Sequence, residues 1–136
     1  MSCFLFQSQS GGGGGSAGSK YQQDIGVTQA IPVGLSFGAI DPTIYQNGVF
    51  RYQIHRTTSG NTTVGEVGNI AVFNNIQGAS LWEISREVLG TYGATYDSGI
   101  SFQINSSGLP LFTAAAWDST GYTGFITYQF LNRLEK

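Results

Sequence analysis

Apolar residues recur at every second position along most of this chain, and that period restricts it to extended structure. Ile31, Val33, Leu35 and Phe37 alternate with Pro32, Gly34 and Ser36. Phe50, Tyr52 and Ile54 alternate with Arg51, Gln53 and His55, and Ile100, Phe102 and Ile104 with Ser101, Gln103 and Asn105. Each run predicts a strand with one buried face. Val67–Phe73 and Tyr92–Tyr96 predict two further strands from weaker alternation. Turn residues punctuate the runs at Asn47-Gly48, Ser59-Gly60, Asp97-Ser98-Gly99, Ser106-Ser107-Gly108 and Thr120-Gly121. Short strands at this spacing predict an all-β domain, an antiparallel β-sandwich or barrel.

One segment supports two readings. Ala79 to Leu89 holds Leu, Glu, Arg and Ala, which favour helix. Trp82, Ile84, Arg86 and Val88 nevertheless oppose Leu81, Glu83, Ser85 and Glu87, and this alternation with aromatic and β-branched content favours a strand.

Upstream of Tyr21 the alternation stops. Met1-Ser2-Cys3-Phe4-Leu5-Phe6 is a short apolar plug, and Gln7 to Lys20 is polar and Gly/Ser-rich, with five consecutive glycines at Gly11 to Gly15. Such segments are flexible coil, and this one has an r.m.s. reach of roughly 20 Å. The layout predicts an anchor peptide at 1–6, a tether at 7–20 and a β-sandwich head at 21–136. Cys3, Phe4, Leu5 and Phe6 are the expected anchor residues. Cys3 is the only cysteine, so no intrachain disulfide can form. The plug lacks the basic start and the length of a secretory signal, and no stretch approaches a membrane span. The expected site of synthesis is a cytoplasm, with no membrane insertion.

Charge is sparse. Charged residues make up 10% of the chain and the net charge is −2, against roughly 25% charged residues in ordinary soluble domains. Lys and Arg occur singly, so no positive patch for nucleic acid is expected. So few charges fit a surface partly covered by copies of the chain or by a partner. The last strand points the same way: Phe125, Ile126, Tyr128, Phe130, Leu131 and Leu134 place large apolar groups on both faces. Phe125, Ile126, Tyr128, Phe130 and Leu131 are the expected subunit interface, with one face of the strand in the core and one against a neighbouring copy.

Catalytic patterns are sparse. His55 is the only histidine and fits no nucleophile–base motif, which leaves it as an exposed or hydrogen-bonded strand histidine. No metal site or cofactor is expected from one His and one Cys. Asp97 and Asp118 would serve as a glycosidase pair only if the fold brought them together. Asp41-Pro42 and Asp118-Ser119-Thr120-Gly121 read as turns rather than calcium ligands. Tyr92, Tyr96, Trp117 and Tyr122 lie in or beside loops with Asp97 and Asp118, where aromatic rings and carboxylates would suit contact with a glycan; Tyr96, Asp97, Trp117 and Tyr122 are the expected contacts.

From Ser98 to Leu134 the chain runs Gly-Ile-Ser-Phe-Gln-Ile, Asn-Ser-Ser-Gly, Leu-Pro-Leu-Phe-Thr-Ala-Ala-Ala-Trp and Thr-Gly-Tyr-Thr-Gly-Phe-Ile-Thr-Tyr-Gln-Phe. This stretch resembles the closing hairpin and last strand of β-sandwich heads in bacteriophage virion proteins, such as fibre tips and head-decoration proteins. More loosely, it is similar to the jelly-roll heads of the C1q and tumour-necrosis-factor group, although no Gly-X-Y repeat precedes it. The resemblance implies a jelly-roll-like head whose aromatic final strand lies near a three-fold interface. The expectation that follows is a non-enzymatic structural protein of a phage particle, a capsid decoration or fibre-like head. It would form a homo-oligomer, a trimer by the resemblance, and be held to other virion proteins by the plug. The alternative is a carbohydrate- or receptor-binding module that contacts a host surface glycan.

Overall fold

The computed structural model describes residues 20–36, 45–59, 62–74, 82–93 and 98–135. Eight strands form: β1 (Lys20–Asp24), β2 (Gln29–Gly34), β3 (Tyr45–Thr57), β4 (Thr63–Asn74), β5 (Trp82–Gly93), β6 (Ile100–Ile104), β7 (Pro110–Ala114) and β8 (Thr123–Glu135). They build two antiparallel sheets, a five-stranded one in the order β1-β8-β3-β4-β5 and a three-stranded one in the order β2-β7-β6. The fold is an antiparallel β-sandwich. First and last strands pair, β1 with β8, while β3, β4 and β5 run as a meander. The anchor residues Cys3, Phe4, Leu5 and Phe6 lie outside the described residues. Lys20, the last residue of the expected tether, opens β1.

Alternation places the core. Phe50, Tyr52 and Ile54 of β3, Ile70 and Val72 of β4, and Ile126, Tyr128 and Phe130 of β8 all face inward and are buried. From the smaller sheet, Ile100, Phe112 and Ala114 meet them, with Phe102 and Ile104 at the margin. Aromatic contacts bridge the layers and neighbouring strands: Tyr52 meets Phe102 at 5.1 Å between ring centroids, and Phe50 meets Phe130 edge-on at 5.8 Å. Leu35, just past β2, closes one end. The segment around Trp82 is strand, not helix, because one face of β5 (Trp82, Ile84) completes this core.

Ladder irregularities explain where the alternation misled. Leu131 is an extra residue in β8, since Phe50 pairs with Phe130 but Val49 pairs with Asn132. Leu89 is extra in β5, since Gly68 pairs with Val88 but Val67 pairs with Gly90. In edge strand β2 the register also shifts, between Gln29 and Val33, at the stretch that contains Pro32. Ile31, expected on the buried face, is therefore 81% exposed. Val88, next to the bulge at Leu89, is also exposed rather than buried.

The β6–β7 turn shows why one Asn-Ser-Ser-Gly tetrad must be a turn. The Asn105 Oδ1 accepts hydrogen bonds from the backbone N–H of Ser107 (3.0 Å) and of Leu109 (3.0 Å). Gly108 takes φ +87°, a conformation costly to any residue with a Cβ.

Phe112 lies at the centre of the three-stranded sheet, paired with Val33 on one side and Phe102 on the other, and it is fully buried. Phe112→Ala is expected to cost about 3–5 kcal/mol. Urea unfolding of the two proteins measures this directly; a loss below about 1 kcal/mol would mean the two sheets are not held by this core.

Candidate functional site

Ile126, Tyr128 and Phe130 cannot form an outer interface, because all three are buried between the sheets. The Tyr128 hydroxyl accepts from the Ser36 N–H (2.7 Å) and donates to Gln23 Oε1 (2.9 Å), so it is fixed inside the fold. Of the five expected interface residues, only Phe125 and Leu131 lie on the outer face of β8. Tyr96 and Asp97 lie outside the described residues. Trp117 and Tyr122 are half-buried, and both rings lie against a buried arginine.

That arginine is Arg56, which has no solvent exposure. It sits on the inward face of β3, where the period places it after Ile54. The guanidinium lies 4.8 Å from the Trp117 ring centroid and 5.5 Å from that of Tyr122. Its Nε donates to the Tyr122 hydroxyl (3.0 Å) and its Nη1 to the Ser98 carbonyl (2.9 Å). Its Nη2 reaches the carbonyls of Ala115 (2.9 Å), Val27 (3.1 Å) and Gly26 (3.4 Å). Among the described residues no carboxylate forms an ion pair with it. A charge this deep is tolerated only when every donor finds an acceptor, and the planar fork of arginine suits that task.

A second buried network adjoins the first through Ser98. The Ser98 hydroxyl donates to Glu66 Oε1 (3.1 Å) while its carbonyl serves Arg56. Glu66 Oε2 accepts from the Tyr52 hydroxyl (2.5 Å) and pairs with Arg86. Arg86 also donates to the Ile100 carbonyl (2.6 Å) and lies over the rings of Phe102 and Tyr52. Burial, and then the hydrogen bond to the Glu66 carboxylate, push the Tyr52 hydroxyl up to about 12. The charges of Glu66 and Arg86 satisfy each other here, and the arrangement holds strands together. Asp118 is exposed and its Oδ1 accepts from the Thr120 N–H (3.0 Å), which makes it a turn residue. Among the described residues no three His, Cys, Asp or Glu side chains converge on a metal position.

The outer face of the five-stranded sheet carries the remaining candidates. Since Tyr52, Ile54 and Arg56 point inward, Gln53, His55 and Thr57 point outward, as do Phe125 and Thr127 beside Ile126. At one end of this face three rings form a row. Phe125 and His55 stack at 5.2 Å, and His55 and Tyr92 lie 6.1 Å apart. The Tyr92 hydroxyl meets His55 Nδ1 at 2.9 Å. To get there the ring crosses β4 at Gly65, where an added Cβ would fall 1.9 Å from Tyr92 Cζ. Only glycine allows that approach. At the other end lie exposed apolar residues: Phe73 (38%), Leu131 (47%) and Leu134 (53%). Val49 and Ala71, which pair with each other, occupy the same end of the sheet. Between the two ends runs a polar row in which Arg51 Nε donates to Asn69 Oδ1 (2.7 Å) and Asn69 reaches Glu87.

The roles of Arg56 and Glu66 were not expected from the sequence. A signal existed for Arg56: it continues the inward positions 50, 52 and 54. Tyr92 was expected as an aromatic ring beside a loop; its place in the ring row depends on a glycine 27 positions earlier that pairs with it across neighbouring strands.

No protein family and no curated protein matches this chain. Among solved structures, the crystal structure of the Acinetobacter phage vB_ApiP_P1 tailspike protein is similar, with a TM-score of 0.48 and 14% identity, over 99% of this chain and 24% of the tailspike chain. This chain thus spans about a quarter of the length of that protein.

The Tyr52 shift gives a pH dependence. Its hydroxyl titrates higher in the folded protein than the ordinary 10.0 of the unfolded chain. The folded state therefore holds this proton more tightly. The stabilisation is complete below pH 10 and is lost as pH rises from 10.0 towards about 12. Tyr128, raised in the same direction by burial, adds to the slope. Urea unfolding at a series of pH values from 9 upwards is expected to show this decline, and Tyr52→Phe is expected to flatten it; an equal slope in Tyr52→Phe would exclude Tyr52 as its source.

Proposed function

We propose that this chain is a non-enzymatic structural protein of a virus particle, a capsid decoration or fibre-like head. In this reading the β-sandwich self-associates, and the N-terminal peptide with Cys3, Phe4, Leu5 and Phe6 fastens it to other virion proteins. The observation that carries the reading is the apolar end of the outer sheet face. Phe73 and Leu134 flank Asn47 in one cross-strand row, and Leu131 is pushed outward beside them by the bulge. Large apolar side chains gathered at one end of an exposed face, on a chain with 10% charged residues, favour burial against a second copy.

The long Gly/Ser segment supports the same reading. A tether between anchor and head lets several heads associate while each anchor finds its own seat, and joined anchors hold more tightly than single ones. Closed rings use one repeated interface, and a trimer is the form that the sequence resemblance implies. The particle is the proposed destination, reached from the host cytoplasm.

Light scattering of the full chain after size exclusion is expected to give a small closed oligomer, a trimer having three times the 14.5 kDa chain mass. Leu131→Ser with Leu134→Ser is expected to yield monomers that keep the far-UV β-sheet spectrum, with an unfolding midpoint that no longer depends on protein concentration. Removing residues 1–6 is expected to leave the oligomer intact and abolish incorporation into particles. A full-length monomer would refute the self-association, and normal incorporation without residues 1–6 would refute the anchor.

A further inference from the structure

The geometry points to a binding site for a neutral saccharide on the outer sheet face, built on the ring row of Phe125, His55 and Tyr92. It lies at the opposite end of the face from the apolar patch, beyond the Arg51–Asn69–Glu87 row, and stands or falls separately from the assembly reading.

Three observations carry it. The first is that Tyr92 is held in place. It is 42% exposed, yet its hydroxyl is bound to His55 Nδ1 and lies within 3.5 Å of Gln53 Nε2. Glycine in a strand interior costs roughly 0.5–1 kcal/mol relative to alanine. Gly65 accepts that cost at the one place where the ring crosses. An aromatic ring fixed before binding loses little freedom when a ligand lands on it.

The second observation is what surrounds the rings. On one side are hydroxyls: Thr57 and Thr63 share a hydrogen bond at 2.7 Å, and Thr123 pairs with Thr57. On the other side are Gln53 and Thr127, which are cross-strand neighbours. The strip therefore offers aromatic carbon flanked by neutral donors and acceptors.

The third observation is charge. The residue paired with Phe125 on β1 is Asp24, and among the described residues it is the only formal charge adjoining the row. Among these residues a polyanion would meet a carboxylate and no cation. An apolar peptide would bury the threonine and glutamine groups without partners. A sugar ring satisfies both halves, because its C–H face suits the rings and its hydroxyls suit the amides and threonines.

The test uses the full chain against an immobilised panel of neutral oligosaccharides containing glucose, galactose, mannose or N-acetylhexosamines. Titration calorimetry then gives the per-site affinity for the best binder. Binding to at least one neutral glycan is expected, weakened about tenfold or more by Tyr92→Ala and by Phe125→Ala. Tyr92→Ala removes an exposed edge-strand ring, so it carries the test if Phe125→Ala fails to fold. Leu134→Ser, in the apolar patch, is expected to leave the per-site affinity unchanged even where it breaks the oligomer. No binding to any neutral glycan, binding confined to anionic glycans, or affinity unaltered in Tyr92→Ala would each overturn the proposal.

Discussion

The sandwich depends on one buried cation that meets no carboxylate among the described residues. Arg56 ends the inward row of β3 and gathers carbonyls from three separate connections: Gly26 and Val27 between β1 and β2, Ser98 before β6, and Ala115 between β7 and β8. Each of these connections joins the two sheets. The guanidinium thus does at this end of the molecule what side-chain packing does in the middle. Its partners are dipoles, and dipoles fixed in the right direction can solvate a charge much as water would. Losing the cation would leave several carbonyls buried and unsatisfied together, so the crossovers form a unit.

Ser98 extends this logic into the second network. Through its carbonyl and its hydroxyl it belongs to both Arg56 and Glu66, and Glu66 passes the connection to Arg86 and Tyr52. The chain of contacts runs from β3 through the β5–β6 connection to β4 and β5. At this end of the sandwich buried polar groups lie inside and the rings of Phe125, His55 and Tyr92 lie on the outer face, a local inversion of the simple rule. The inversion has a geometric cause. The long strands β3, β4, β5 and β8 run beyond the short β2, β6 and β7, so a β3 position near the strand end meets connections rather than a facing sheet. Backbone carbonyls, not apolar side chains, are what those connections offer.

Much of this was legible in the sequence, because period-two alternation is a direct consequence of a sheet with one dry face. The inward triplets 50, 52, 54 and 126, 128, 130 follow from it without further information. What misled was the assumption that alternation continues unbroken. Single extra residues at Leu89 and Leu131 and the irregular stretch around Pro32 reset the phase, and nothing local announces a bulge when the residue inserted is an ordinary leucine. For β8 one core face and one outer face were expected, but not which residues belong to which; Ile126, Tyr128 and Phe130 form the core row, and Phe125 and Leu131 lie outside it. Trp117 and Tyr122 were expected as ligand contacts because both lie beside turns; that a cation lies beneath both rings was not legible, since Arg56 is more than 60 positions away in sequence from each. The outer ring row was illegible because it joins β8, β3 and β5, and only the register reveals that Gly65 lies between His55 and Tyr92.

The irregularities also bear on what the molecule refuses to do. An open sandwich has four sheet margins, each able to recruit a foreign strand. Here β1 and β6 offer only 5 residues each. The long margin β5 is broken by Leu89, and β2 is both irregular and carries Pro32, which has no N–H to give. Among the described residues no margin presents a long, straight run of backbone groups. Copies that met face to face through the broad sheet would therefore find little at these margins to template growth into fibres.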